Sequence, residues 1–141
     1  MIDIETAIYT RVREGVKAAY PSASISGIYT ETPSAFPFVS FVEAANSAYY
    51  PTETLGHIEN HAQVVYQADI YSNNVTQGKS ACKGIASVID EVMTDLGFRR
   101  TSAMQTPNID RSLYRITMRF EGVISKGEQD GDTTRYSIYS S

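Results

Sequence analysis

Between Ile58 and Tyr71 the chain alternates so regularly that no other stretch restricts the fold as strongly. Ala62, Val64, Tyr66, Ala68 and Ile70 fall on one side, and Gln63, Val65, Gln67, Asp69 and Tyr71 on the other. Side chains along a strand point to opposite faces with a period of two, so this segment is a long strand with one apolar and one largely polar face. An apolar sheet face needs a covering layer, so elements with helical periodicity come next.

Two segments qualify. From Asp3 to Ala19, Ile4, Ile8, Val12, Val16 and Ala19 recur at helical spacing, Asp3 is the expected N-cap, and Pro21 ends the run. From Gln77 to Leu96, Cys82, Ile85, Ala86, Ile89, Val92, Met93 and Leu96 make a stripe, with Gly84, Ser87, Glu91, Thr94 and Asp95 opposite. Gly97 stands where a C-terminal cap belongs.

The remaining apolar segments read as strands near Ala23–Tyr29, Phe36–Ala45, Phe98–Met104 and Leu113–Ile124. Thr32-Pro33-Ser34 and Thr106-Pro107-Asn108 are turns, and Asn46–Leu55 is a long loop or extended hairpin arm. The fold class is therefore α+β: a mainly antiparallel sheet against two helices, in the order α-β-β-β-α-β-β. Residues 1–124 form this single domain. Residues 125–141 begin with the polar, Gly-containing loop Lys126–Asp132 and end in an arm or an extra edge strand, Thr133–Tyr139. A chain of 141 residues can bury roughly 68–70% of its extended surface and needs no staples. Its single cysteine excludes an internal disulfide and a multi-cysteine zinc site.

Patterns that imitate catalytic or metal sites fail on spacing. In His57-Ile58-Glu59-Asn60-His61 the Glu is central, whereas a zinc-protease helix places it directly after the first His. On an extended chain the two histidines are ~13 Å apart, too far for a shared zinc at ~2.1 Å from each. Glu128, Asp130 and Asp132 do not follow the order of a calcium-binding loop, because Gly131 precedes the third acid. Cys82 sits on the apolar stripe with no nearby His to activate it. We expect no catalysis, no cofactor and no metal. A small-molecule enzyme remains testable through a concave pocket lined by buried, pKa-shifted groups.

Net charge is −4, without the basic excess that binding to phosphates by charge requires. The longest apolar runs fall far short of the ~20 residues of a membrane helix, and acidic residues at the N-terminus do not fit a signal peptide. A cytoplasmic product without membrane contact is expected. Ten Tyr and no Trp suit half-buried sheets and interfaces. Candidate interface residues are Tyr49, Tyr50 and Leu55 in the loop, Tyr136, Ile138 and Tyr139 in the arm, and Arg115 and Arg119. The two arginines, with Arg111, make a basic stripe beside Arg99-Arg100, either paired with Glu121 or engaged with a partner.

The second half carries a resemblance. Gln63-Val64-Val65-Tyr66-Gln67-Ala68-Asp69-Ile70-Tyr71-Ser72 leads to a helix closing Ile89-Asp90-Glu91-Val92-Met93-Thr94-Asp95-Leu96-Gly97-Phe98-Arg99-Arg100. Pro107-Asn108-Ile109-Asp110 then precedes Leu113-Tyr114-Arg115-Ile116-Thr117-Met118-Arg119-Phe120-Glu121-Gly122. Over residues 58–124 this succession resembles the tail-terminator (tail-completion, minor tail protein U-like) families of long-tailed bacteriophages. The resemblance implies a homo-oligomeric ring, usually a hexamer, which caps the tail tube in the virion and stops its polymerisation. It further implies contacts with tail tube protein and with the head–tail connector, assembly in the host cytoplasm, and DNA passing through the lumen without sequence-specific binding. Other neck components, such as head-completion, stopper or head–tail joining proteins, share the pattern at this level.

Overall fold

The computed structural model describes residues 4–28, 36–48, 61–73, 78–105 and 114–125. The elements are α1 (Glu5–Ala19), β1 (Ser24–Ser26), β2 (Phe38–Ala48), β3 (His61–Ser72), α2 (Gly78–Asp95), β4 (Arg99–Gln105) and β5 (Tyr114–Ser125). The expected order α-β-β-β-α-β-β holds, and the fold is α+β.

The five strands form one sheet in the order β1-β2-β3-β5-β4. It is mixed: β1 runs parallel to β2, while β2–β3, β3–β5 and β4–β5 are antiparallel. The sheet is thus mainly antiparallel, as expected, with one parallel pair at its β1 edge. β1 is anchored from two sides: the Ser24 amide donates to the Pro37 carbonyl at 3.0 Å, and the Tyr9 hydroxyl of α1 donates to the Ile25 carbonyl at 3.2 Å.

The helices cover one face. Ile4, Ile8, Val12 and Val16 of the α1 stripe and Cys82, Ile85, Ile89, Met93 and Leu96 of α2 are buried, whereas Ala19 is exposed at the end of its stripe. They meet Val39 and Phe41 of β2, Val64, Tyr66, Ala68 and Ile70 of β3, and Ile116, Met118 and Phe120 of β5. Tyr66 stacks on Phe41 at 5.3 Å between ring centroids and meets the edge of Phe98 at 5.6 Å. The helices pack closely where Gly15 faces Val92; a Cβ at Gly15 would lie 2.8 Å from a Val92 methyl. Gly84, expected on the open face of α2, instead lies under the Tyr20 ring.

The ends of the elements show where local signals lost to long-range pairing. The N-cap of α1 is Ile4, not Asp3, and no side chain caps it; acidic Glu5 in the first turn faces the positive end of the helix dipole. Gly97 does terminate α2, with φ of 93°, and the amides of Gly97 and Phe98 reach the carbonyls of Thr94 and Met93. β2 continues to Ala48, into the stretch expected as a long loop or an extended hairpin arm, and the second alternative holds for its first residues: Asn46, Ser47 and Ala48 pair with Val64, Gln63 and Ala62. The ladder accommodates this through a bulge between Glu43 and Ala45, which inserts one residue and resets the alternation.

Candidate functional site

The face of the sheet turned away from the helices has no helical layer among the described residues, and it carries both described interface candidates. The antiparallel register places Gln67 opposite Arg119, Asp69 opposite Thr117, and Tyr71 opposite Arg115. Three polar or charged pairs thus lie side by side where an ordinary core would be apolar.

Asp69 is their centre and is fully buried. Its Oδ1 accepts from Arg115 Nε at 3.0 Å, Arg115 Nη2 at 2.8 Å and the Thr117 hydroxyl at 2.7 Å, while Oδ2 accepts from Gln67 Nε2 at 2.9 Å. The Arg115 side chain is only 12% exposed and lies over the Tyr71 ring, 5.3 Å from its centroid. Tyr71 in turn meets Phe38 of β2 at 6.4 Å. The Gln67 carbonyl oxygen accepts from Arg119 Nε at 3.2 Å and Nη2 at 3.0 Å, and Gln63 donates to Glu121. A buried carboxylate with several charge-assisted donors is satisfied and orientationally fixed. The arrangement is a row of polar side chains braced laterally across β3 and β5.

Arg115 and Arg119 share this face as expected, but their partners differ from those expected. Glu121 bonds to Gln63, and Asp69 holds Arg115. Nor do Arg99 and Arg100 extend one basic stripe: adjacent strand residues point to opposite faces, and Arg100 turns to the helix side, 3.2 Å from Asp90 of α2. Tyr49, Tyr50, Leu55, Tyr136, Ile138 and Tyr139 lie outside the described residues, as do Arg111, His57, Glu128, Asp130 and Asp132. Asp69, Gln67 and Thr117 were missed as site residues. The available signal was an acid in a strand rich in Val, Ile and Tyr, on the same period-two face as Gln67.

On the helix side Cys82 is buried, and its thiol approaches the carbonyls of Ile70 and Tyr114, each at 3.7 Å. Burial pushes its pKa up to about 12, so it carries almost no thiolate at neutral pH. Among the described residues no cluster of three or more His, Cys, Asp or Glu could hold a metal ion. No described helix is long and apolar enough to cross a membrane.

No protein-family model matches the chain, and no curated protein matches it in sequence. In structure it is similar to a chain of the virion of a native gene transfer agent particle, with a TM-score of 0.56 and 17% identity, over 82% of this chain and 90% of that one. A second solved structure is similar at a TM-score of 0.52 and 10% identity, covering 82% of this chain and 89% of the other. At such identities the likeness is one of fold.

Proposed function

We propose that this protein is a structural component of a tailed, phage-like virion and, within it, the tail terminator. In this role it forms a ring, a hexamer by the resemblance, that caps the tail tube, stops its polymerisation and offers the attachment surface for the head–tail connector. The observation that carries the reading is the fold shared with a gene transfer agent virion chain along nine-tenths of that chain's length. It agrees with the independent resemblance over residues 58–124.

The physical character of the molecule supports an assembly role. A ring subunit needs two different surfaces that meet head to tail and close on rotation. The sheet has one face covered by helices and another, braced by the Asp69–Arg115 pair, with no helical cover among the described residues. Arg119 on that face is exposed, and arginine is favoured at interfaces for its planar, multi-donor head. A net charge of −4 suits a wall past which DNA slides, because like charge discourages adhesion.

Deleting the gene from its phage and imaging the particles by negative stain tests the reading. Tails of uncontrolled length are expected. Mature tails of normal length in that deletion would remove the terminator role. The purified protein is expected to form rings, alone or on tail tubes.

A further inference from the structure

β4 is an edge strand that pairs only with β5 among the described residues, and six of its seven residues are exposed. Such an edge presents unpaired backbone donors and acceptors to any strand that approaches. Its first half resists pairing through Arg99, Arg100 and the bulge between Arg100 and Ser102. Its second half is different: Ser102, Ala103, Met104 and Gln105 are uncharged, in regular register with Arg119 to Ile116, and Met104 is 59% exposed.

Beside this stretch, on the helix side, an open groove of about 480 Å³ runs between α2 and β4. Ala86, Ala103, Ile116 and Met118 contribute apolar wall, and the charged rim holds three cations, Lys79, Lys83 and Arg100, against one acid, Asp90. An extended, partly apolar segment with acidic residues would match both the edge and the rim.

Residues 126–141 have an acidic excess, with Glu128, Asp130 and Asp132 against Lys126 and Arg135, and after the acids Tyr136 and Ile138 stand two apart, on one side of any extended chain. They follow Ser125, the last residue of β5, which pairs with His61. The open stretch of β4 lies opposite residues 116–119, six to nine positions back along β5, ~20–30 Å away at the rise of a strand. The end of β5 and the open stretch of β4 therefore lie apart, and a contact between two different surfaces is what propagates head to tail around a ring.

We propose that residues 133–139 of one subunit add as an extended strand to Ser102–Gln105 of a second copy. Tyr136 and Ile138 fill the groove, and the preceding acids approach Lys79 and Lys83. This mode of recognition takes affinity from backbone pairing and selectivity from alternate side chains. The inference rests on the ring reading above and names the contact that closes the ring.

Disulfide trapping in the full-length chain tests it. Ala103→Cys, on the groove side of β4, is combined in turn with Tyr136→Cys and Ile138→Cys, which samples two positions along the proposed strand; the buried Cys82 thiol stays in place. After mild oxidation, at least one pair is expected to give a ladder of covalent oligomers that reducing agent collapses to monomer, and the variants with only one introduced cysteine give no ladder. A monomer containing an internal disulfide would place the segment on its own β4 and overturn the proposal. Absence of any new disulfide in both pairs would also overturn it. Negative-stain images of the unmodified protein separate the two levels. Rings without cross-links defeat only this contact, whereas the absence of rings on tail tubes defeats the terminator reading itself.

Discussion

Tyr66 and Tyr71 lie five residues apart on β3, both fully buried, on opposite faces of one sheet. Tyr66 belongs to the helix-covered side, between Phe41 and Phe98, and its hydroxyl reaches the Glu43 carboxylate at 2.9 Å. Tyr71 belongs to the other side, where it touches Phe38 and underlies the Arg115 guanidinium. Two routes to burial coexist in one strand. One removes apolar area from water beneath a layer of helix; the other stacks a cation on a ring and fixes it with a buried acid. The first is the ordinary source of stability. The second adds little stability relative to an apolar substitute but strongly constrains geometry, as expected of a surface that must present a fixed shape.

That contrast can be sharpened or broken by experiment. The largest expected effect concerns sealing of the covered face. Cys82 of the native chain should react with a thiol reagent at pH 8 about a thousandfold more slowly than in the denatured chain, since about three pKa units of suppression leave little thiolate. Comparable rates in the two states would show that the helical layer opens freely. Next, Phe120→Ala should lower stability to urea by about 3–5 kcal/mol, the usual loss for a buried ring. A loss below about 1 kcal/mol would remove the distinction between the two faces.

Breaking the ion pair on the other face should cost nearly as much, for another reason. Arg115→Ala strands the Asp69 carboxylate and is expected to cost about 3 kcal/mol, whereas Asp69→Asn combined with Arg115→Met should restore most of it. A double variant as unstable as the single one would mean that the pair stabilises the fold by itself. The smallest effect is expected from Arg119→Ala. The residue is exposed and bonds only a neutral amide oxygen in the described contacts, so stability should change by less than about 1 kcal/mol. Ring yield, measured by size-exclusion chromatography with light scattering, should nevertheless fall. Unchanged assembly would take Arg119 off the interface.

The candidate site was half legible. Arg115 and Arg119 could be placed on one face because strand periodicity is local. Their partners could not, because Asp69 is 46 residues from Arg115 and Gln67 is 52 from Arg119. Pairing such positions requires knowing that β3 lies beside β5, although α2 and β4 intervene in the chain. For the same reason the nearby Glu121 was an attractive but mistaken partner for Arg115: it was the acid visible on the same strand.

Residue order alone determined what depends on near neighbours. It marked the two helical stripes, the stop at Gly97, the alternation of β3 and the succession α-β-β-β-α-β-β, since each follows from how side chains project along a short stretch of backbone. Tertiary structure decided which strands became neighbours, the parallel run of β1, the bulge that carries β2 through Asn46, and the burial of Asp69 beneath Arg115. Periodicity encodes which face of a segment leaves water. The register between distant segments, chosen by the packing of the whole core, selects what each face meets there.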